Sequence, residues 1–424
     1  MQTQNTQHRH TMPDIPTLSC DVAIIGAGIA GLWTAHRLKQ AGFTVVLVEP
    51  YAIGAGQTIC SQGIIHGGLK YALTGTLSSA SESIADMPNI WRACLAGEGV
   101  LDLSAAKVLS EAQYLWSTGS LKANVFNFFA SKCLKSRVKK VKKDAFPAAL
   151  QHPAFKGNVY QLNEPVLDIA SVLQALATPL QSAILQVDGQ KGYQVHYATL
   201  ASNAPYIDHL SLSSQGRQVR LTANHYVFTA GQGNAQLAEQ TAFTSMQKRP
   251  LQMVTCTFPA YVQPPSLYGH CIDDGATPRM TVTTHPMPSN PQQVTWYLGG
   301  KLAEEGVLRS MDAQILVARE TVGNLLPWID LSGTHWRTIC VNRAEPLQPS
   351  GQKPDTAHVE LQGNICLAWP TKLALSPRMA DKILSHLQPL KITGKHSDTR
   401  VFQDTLAKLN WPTPRVANLP WESE

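Results

Sequence analysis

A mixed α/β fold in two parts is what this sequence predicts, on three observations. An apolar strand, Val22 to Ile25, runs into a glycine-rich turn and a helical pattern, Ile29 to Gln40, and a second apolar strand follows at Thr44 to Val48. That order is a βαβ opening. The stretch from Met253 to Lys301 is strand-rich and punctuated by prolines, and Met311 to Leu326 is a helix stopped by Pro327. These two features predict a second domain with its own sheet and helix.

The remaining elements follow in chain order. Asp168 is placed to cap a helix whose apolar positions Ile169, Val172, Leu173 and Leu176 make one stripe. Strand-like runs come next, at Ile184 to Val187, Tyr193 to Tyr197, Val219 to Thr222 and Tyr226 to Thr229. The last runs into Ala230-Gly231-Gln232-Gly233, and a strand that ends in glycines suggests a close ligand. Ile365 to Trp369 is strand-like, and Ser376-Pro377 puts a capping hydroxyl before a proline at the first helical position. Ala380, Ile383, Leu384 and Leu387 complete that helix's stripe, and the residues after about Gly394 read as a tail packed on the body.

Composition bounds the answer. With 424 residues, 44% of them hydrophobic, the chain can bury a real core, and about 150 residues per domain gives roughly three structural units. Charged residues make up 15%, below the average of about 25%, which excludes a long disordered polyelectrolyte. No apolar run reaches the roughly 18 to 20 residues of a membrane span. The first eighteen residues are polar and lack a secretory pattern, which predicts a cytoplasmic protein. The eight cysteines show no C-x-x-C pair, which suits reduced thiols and argues against zinc.

The opening turn carries the chemistry. Gly26-Ala27-Gly28-Ile29-Ala30-Gly31 follows a strand and opens a helix, and Glu49 ends the next strand eighteen residues after Gly31. This is the full dinucleotide context. Gly26 permits the tight turn, Gly28 lets backbone approach a pyrophosphate, and Gly31 lets the helix pack on the strand. Glu49 would accept hydrogen bonds from ribose hydroxyls and repel a 2′-phosphate, so the NADP phosphate is disfavoured here while FAD and NAD both fit.

From Gly54 runs a second small-residue segment, G-A-G-Q-T-I-C-S-Q-G-I-I-H-G-G-L-K-Y. With it the sequence resembles the FAD-dependent oxidoreductases of the D-amino-acid-oxidase superfamily. Ile65 to Tyr71 is similar to a segment of flavin-linked glycerol-3-phosphate dehydrogenases, and the L-2-hydroxyglutarate-oxidising branch has a related one. The Asp168 helix, the Thr229-Ala230-Gly231 turn and the loop from Trp369 to Ser376 agree with the superfamily. The resemblance implies a Rossmann-like, glutathione-reductase-type FAD-binding domain and a second α+β substrate domain on a mainly antiparallel sheet. The expected boundaries are a leader over 1–18, an FAD domain over 19–86, 160–240 and 335–393, a substrate domain over 87–159 and 241–334, and a tail over 394–424.

Site residues follow from the resemblance and the chemistry together. Flavin oxidation moves a hydride to the ring while a base takes a proton. His66 lies in the loop placed beside the flavin, and an imidazole is the side chain suited to act as that base; a structural histidine or a covalent flavin attachment are its other readings. Arg343 sits where the family carries an arginine gripping a carboxylate or phosphate, although the usual arginine–proline dipeptide is absent; a salt bridge to Glu345 or Asp355 is the alternative. Lys372 resembles the lysine near the pyrimidine end of the flavin, with Thr371 and Leu373 beside it. Pro50, Thr58, Ser61, Gln62 and Gly63 complete the expected FAD contacts. Lys70 and Tyr71 are secondary candidates for the substrate pocket. Cys340 aligns loosely with a cysteine that carries covalent flavin in an amine-oxidising branch, but noncovalent FAD is expected.

The net charge of +6 is one local patch, since Lys132 to Lys143 holds seven basic residues and no acidic one. With Phe126, Phe129, Leu134, Val138 and Val141 near helical spacing, it reads as an amphipathic basic helix. A lysine-rich solvated face, a peripheral seat on the inner membrane face and contact with tRNA are its three uses. The function expected is oxidation of a C–H bond beside an alcohol or amine of a small anionic substrate, with 2-hydroxy acids and polyol phosphates ahead of amines. Oxygen, a quinone or another electron carrier would reoxidise the flavin. A flavoenzyme acting on modified tRNA is the further alternative.

Overall fold

The computed structural model describes residues 15–68, 84–119, 138–198, 204–273, 277–351, 353–393 and 398–422. Lys70, Tyr71, residues 1–14 and residues 120–137, which include the first half of the basic patch, lie outside the described residues.

Two eight-stranded sheets organise the molecule. In the first, Ile365–Trp369, Arg217–Phe228, Thr17–Ile25, Val45–Glu49 and Ile184–Gln186 lie side by side and run parallel. His358–Gln362 joins antiparallel at one edge, and Ile207–Ser214 and Tyr193–Tyr197 extend the sheet beside Arg217–Phe228. Parallel strands need cover on both faces, and alternation supplies it. Val22, Ile24, Val45 and Leu47 face the helices Ile29–Gln40 and Ser376–Thr393, while Ala23, Ile25, Val46 and Val48 enter a second core with Phe228, Trp369 and Phe402.

The second sheet runs in the order His335–Pro346, Met246–Thr257, Asn290–Gly299, Met280–Met287, Gly269–Cys271, Gln113–Ser117, Asn158–Leu162 and Val138–Lys140. Every pair is antiparallel except Gly269–Cys271 with Gln113–Ser117. The helix Met311–Leu325 backs it, burying Ala318, Val322 and Leu325 against Val254, Trp296 and Leu298.

Several expectations need correction. The first strand begins at Thr17 with Leu18 buried, so sheet structure starts inside the expected leader. Val219 to Thr222 and Tyr226 to Thr229 are one strand, Arg217–Phe228, because Ala223 and His225 between them stay in register with Cys20 and Val22 of the neighbouring strand. His335–Pro346 belongs to the second sheet, so the boundary at 335 falls on the wrong side of it, and the boundary at 160 cuts through Asn158–Leu162, another strand of that sheet. Ser376 is the first residue of its helix, and its hydroxyl donates to the Leu373 carbonyl at 2.9 Å instead of capping from outside. The tail contains a helix, Thr399–Leu409, capped by Asp398. The described end of the basic patch is not an amphipathic α-helix: Val138–Lys140 is an edge strand with Val138 buried and Lys139 and Lys140 exposed, a usual way to blunt a sheet edge.

The end of the described chain closes on the second sheet. Trp421 packs on His285 at a ring separation of 4.6 Å and on Tyr297 at 5.3 Å. The Tyr297 hydroxyl donates to the Cys60 carbonyl at 3.0 Å, and Gln62 Nε2 donates to the Tyr297 carbonyl at 2.8 Å. Burial pushes the His285 imidazole down to about 3. Between that value and about 6.5 the unfolded chain binds a proton that the folded chain refuses, so stability must fall with falling pH, by at most about 1.4 kcal/mol per unit. Thermal melts of His285→Gln are expected to show a flatter acid limb than wild type below about pH 6.5; parallel limbs would show that another group sets the acid sensitivity.

Candidate active site

The glycine turn is shaped by close approaches. Gly26 has φ +101°, and a Cβ there would come within 2.9 Å of the Ala230 Cα and the Thr229 carbonyl oxygen. A Cβ on Gly31 would collide with the Gly26 carbonyl oxygen, so only glycine seats the helix on the turn. Gly28 is the N-cap of Ile29–Gln40 and offers no side chain, while Thr58 Oγ1 accepts from the Ile29 N–H at 3.3 Å. The positive end of that helix is thereby left for an anion.

Glu49 closes the adjacent strand. One carboxylate oxygen accepts from the Ala27 N–H at 2.8 Å and the other from the Tyr51 N–H at 3.0 Å. Burial pushes the carboxyl above the ordinary range, and these two donors pull it back. Each oxygen keeps accepting capacity for a ribose hydroxyl.

A cavity of about 740 Å³ gathers the expected residues from both sheets. Its walls include Gly26, Gly28, Ile29, Ala30, Glu49, Pro50, Thr58, Ser61, Gln62, Gly63, Ala230, Gly231, Thr371, Lys372 and Leu373, together with His66 and Arg343. Ala27 and Gly31 stand behind that wall, the first holding Glu49 and the second seating the helix. Cys340 is exposed and off the cavity, so its position gives no support to a covalent link there.

The Lys372 ammonium donates to the Asp355 carbonyl at 3.3 Å. Burial pushes it down to about 8, while the Asp355 and Glu345 carboxylates pull it up. Beside it Thr371 sits in the left-handed region at φ +62°, a strained conformation for a β-branched residue and one that clusters at functional loops.

His66 is held by residues that no local pattern announces. Its Nδ1 lies 3.3 Å from Glu164 Oε2, and Glu164 is 2% exposed. The Gly67 N–H donates to the other Glu164 oxygen at 2.6 Å, and Gln113 Nε2 donates to Oε2 as well. With Glu164 ionised, and so only an acceptor, Nδ1 would carry its proton toward it and Nε2 would be the basic nitrogen. The ring stacks on His270, with centroids 5.7 Å apart, and His270 Nδ1 meets Thr281 Oγ1 at 2.7 Å.

Arg343 lies on the strand His335–Pro346 opposite Arg249. Its Nε donates to the Arg249 carbonyl at 3.3 Å, and its Nη2 lies 3.8 Å from Glu304 Oε1. Glu345, proposed from sequence as its partner, instead binds Arg249. Glu164, Gln113, His270, Arg249, Glu304 and Lys353 are the site residues that sequence reading missed. Arg249, the cross-strand neighbour of Arg343, could have been found only by knowing the register.

The residues fit a flavin dinucleotide. Among the described residues Ser61 Oγ is buried with no hydrogen-bond partner, on a loop that lines the cavity. Added to the glycine cradle, the Glu49 carboxylate and the buried Lys372 ammonium, that hydroxyl completes a donor and acceptor set for FAD. A dinucleotide-binding oxidoreductase is the class that this fold and this cavity define.

Comparison with known proteins carries the assignment further. The model of the DAO family, described as FAD dependent oxidoreductase, matches residues 21–282. A probable FAD-dependent oxidoreductase of Pseudomonas aeruginosa, PA4991, is 45% identical over 409 residues, covering 96% of this chain and 98% of that protein. Its crystal structure superposes with a TM-score of 0.77, at 38% identity, over 97% of this chain and 99% of the other. Glycerol-3-phosphate dehydrogenase 1 of Mycobacterium tuberculosis is 36% identical over 66 residues, 16% of this chain and 13% of that one. At the level of fold alone, glycine oxidase from Geobacillus kaustophilus matches with a TM-score of 0.60 and 14% identity, over 88% of this chain and 95% of that one. L-α-glycerophosphate oxidase from Mycoplasma pneumoniae, solved with FAD bound, matches with 0.56 and 12%, over 95% and 97%. The chain belongs to the DAO family of FAD-dependent oxidoreductases. Among the described residues no helix is long and apolar enough to cross a membrane.

Proposed function

We propose that the protein oxidises the C–H bond beside the hydroxyl of a small anionic substrate, a 2-hydroxy acid or a polyol phosphate, with noncovalently bound FAD. The observation that carries this reading is His66 on the cavity wall, held at Nδ1 by the buried Glu164. An alcohol must lose its O–H proton as hydride departs, which demands a base; an amine that is already neutral does not. His66 would take that proton at Nε2, and the Glu164 carboxylate would balance the imidazolium that forms. Bound FAD supplies the two-electron acceptor for the hydride. Arg343 would hold the substrate's anion, and Lys372 would place positive charge where the reduced cofactor gains negative charge.

The test is anaerobic bleaching of the bound flavin by a panel of 2-hydroxy acids, polyol phosphates and N-methyl amino acids. Bleaching by hydroxy acids or polyol phosphates supports the reading, and bleaching by amines alone reverses it. Lys372→Met should lower the midpoint potential of bound FAD by about 30 mV, the two-electron equivalent of about 1.4 kcal/mol, because an ammonium favouring the reduced anion is gone. Spectroelectrochemical titration reads this directly, and an unchanged or higher potential would remove Lys372 from that role.

A further inference from the structure

The cavity carries more charge than one arginine, and the additional charges differ in kind. Arg249 is taken up by Glu345, which is 1% exposed and also accepts from Gln247 Nε2 at 2.9 Å. Glu304, on the short helix Lys301–Gly306, is 31% exposed and lines the cavity with Lys353. Its Oε1 lies 3.1 Å from Lys353 Nζ and 3.8 Å from Arg343 Nη2. One carboxylate oxygen thus sits between two cations that reach the cavity from different segments, a strand and the loop that follows it. Arg343 is already oriented by its bond to the Arg249 carbonyl, so its guanidinium is presented without reorganisation.

We infer that Arg343 and Lys353 form the anion subsite of the substrate pocket, and that Glu304 occupies it as an internal counter-ion which the substrate's carboxylate displaces. The inference rests on the proposed function only in taking the substrate to be anionic. It narrows the class to carboxylates, hence to 2-hydroxy acids over polyol phosphates. The protein's own carboxylate demonstrates that a single carboxylate oxygen fits between these cations, and exchanging one carboxylate for another leaves the charge of the subsite unchanged. Because Glu304 is partly exposed, its hold on the cations is weak enough to be displaced. Neither Glu304 nor Lys353 stands out in the sequence, since each reaches the cavity only through the second sheet's connections.

The experiment titrates FAD-loaded protein with acetate and, separately, with inorganic phosphate, reading the perturbation of the flavin absorbance. Glu304→Gln is expected to tighten acetate binding about two- to fivefold, the competition that a partly exposed ion pair can mount. Lys353→Met is expected to weaken it by a similar factor, with FAD content unchanged as the check on folding. Acetate binding that is unchanged or weaker in Glu304→Gln overturns the proposal, as does tightening confined to phosphate. Bleaching by the substrate panel is read independently. Failure there with this titration intact removes the reaction and keeps the subsite, while the converse removes the subsite alone.

Discussion

Replacing His66 by alanine is expected to slow anaerobic reduction of the bound flavin by a factor of about 10² to 10⁴, the usual contribution of a positioned general base. FAD content should be unchanged, because the glycine turn, Glu49 and Lys372 are contributed by other segments of the wall. Glu164→Gln is the more discriminating variant. The amide keeps an acceptor for Nδ1 but removes the charge that favours the imidazolium, so the His66 ring becomes harder to protonate. The acid limb of the rate profile should therefore move to lower pH while the plateau rate falls. Rapid-mixing reduction across pH checks both, and a His66→Ala enzyme reduced at the wild-type rate would exclude the imidazole as base.

Gly31→Ala should yield protein without bound flavin and destabilised by roughly 3 kcal/mol or more, since the added methyl must displace main chain and not a flexible side chain. The measurement is flavin released on denaturation together with a thermal melt. Gly323→Ala provides the contrast. It lies inside the helix Met311–Leu325, nothing stands within 4 Å of a Cβ built there, and its φ is not left-handed. That substitution is expected to stabilise by about 0.5–1 kcal/mol, by restricting the unfolded chain. The same methyl thus has opposite signs at two glycines, according to what backs them.

The legible part of the fold was the part written in consecutive residues. Ile29–Gln40, Tyr193–Tyr197 and Ile365–Trp369 match the expected elements end for end, and Asp168 caps its helix through the Ser171 N–H as expected. The glycine turn, Glu49 and the loop at Thr371–Leu373 are likewise local motifs. His66 was visible for the same reason, but its partner was not: Glu164 stands 98 residues away and meets it because Ile64 bridges Val166 and the Ile65 N–H donates to the Pro165 carbonyl. Arg249 and Glu345 meet across a strand pair whose register no periodicity encodes. The expected basic helix fails at its described end, where Val138 belongs to a three-residue edge strand, a run too short for periodicity to separate strand from helix.

The contact of Trp421 with Tyr297 bears on when the protein can become an enzyme. Tyr297 is the residue that fixes Cys60 and Gln62, so the loop that meets the cofactor is braced by a side chain translated some 360 residues later. A nascent chain still short of that tryptophan has the glycine turn but lacks the brace. Cofactor loading before Trp421 has emerged would then be reversible, and firm retention would wait for that residue.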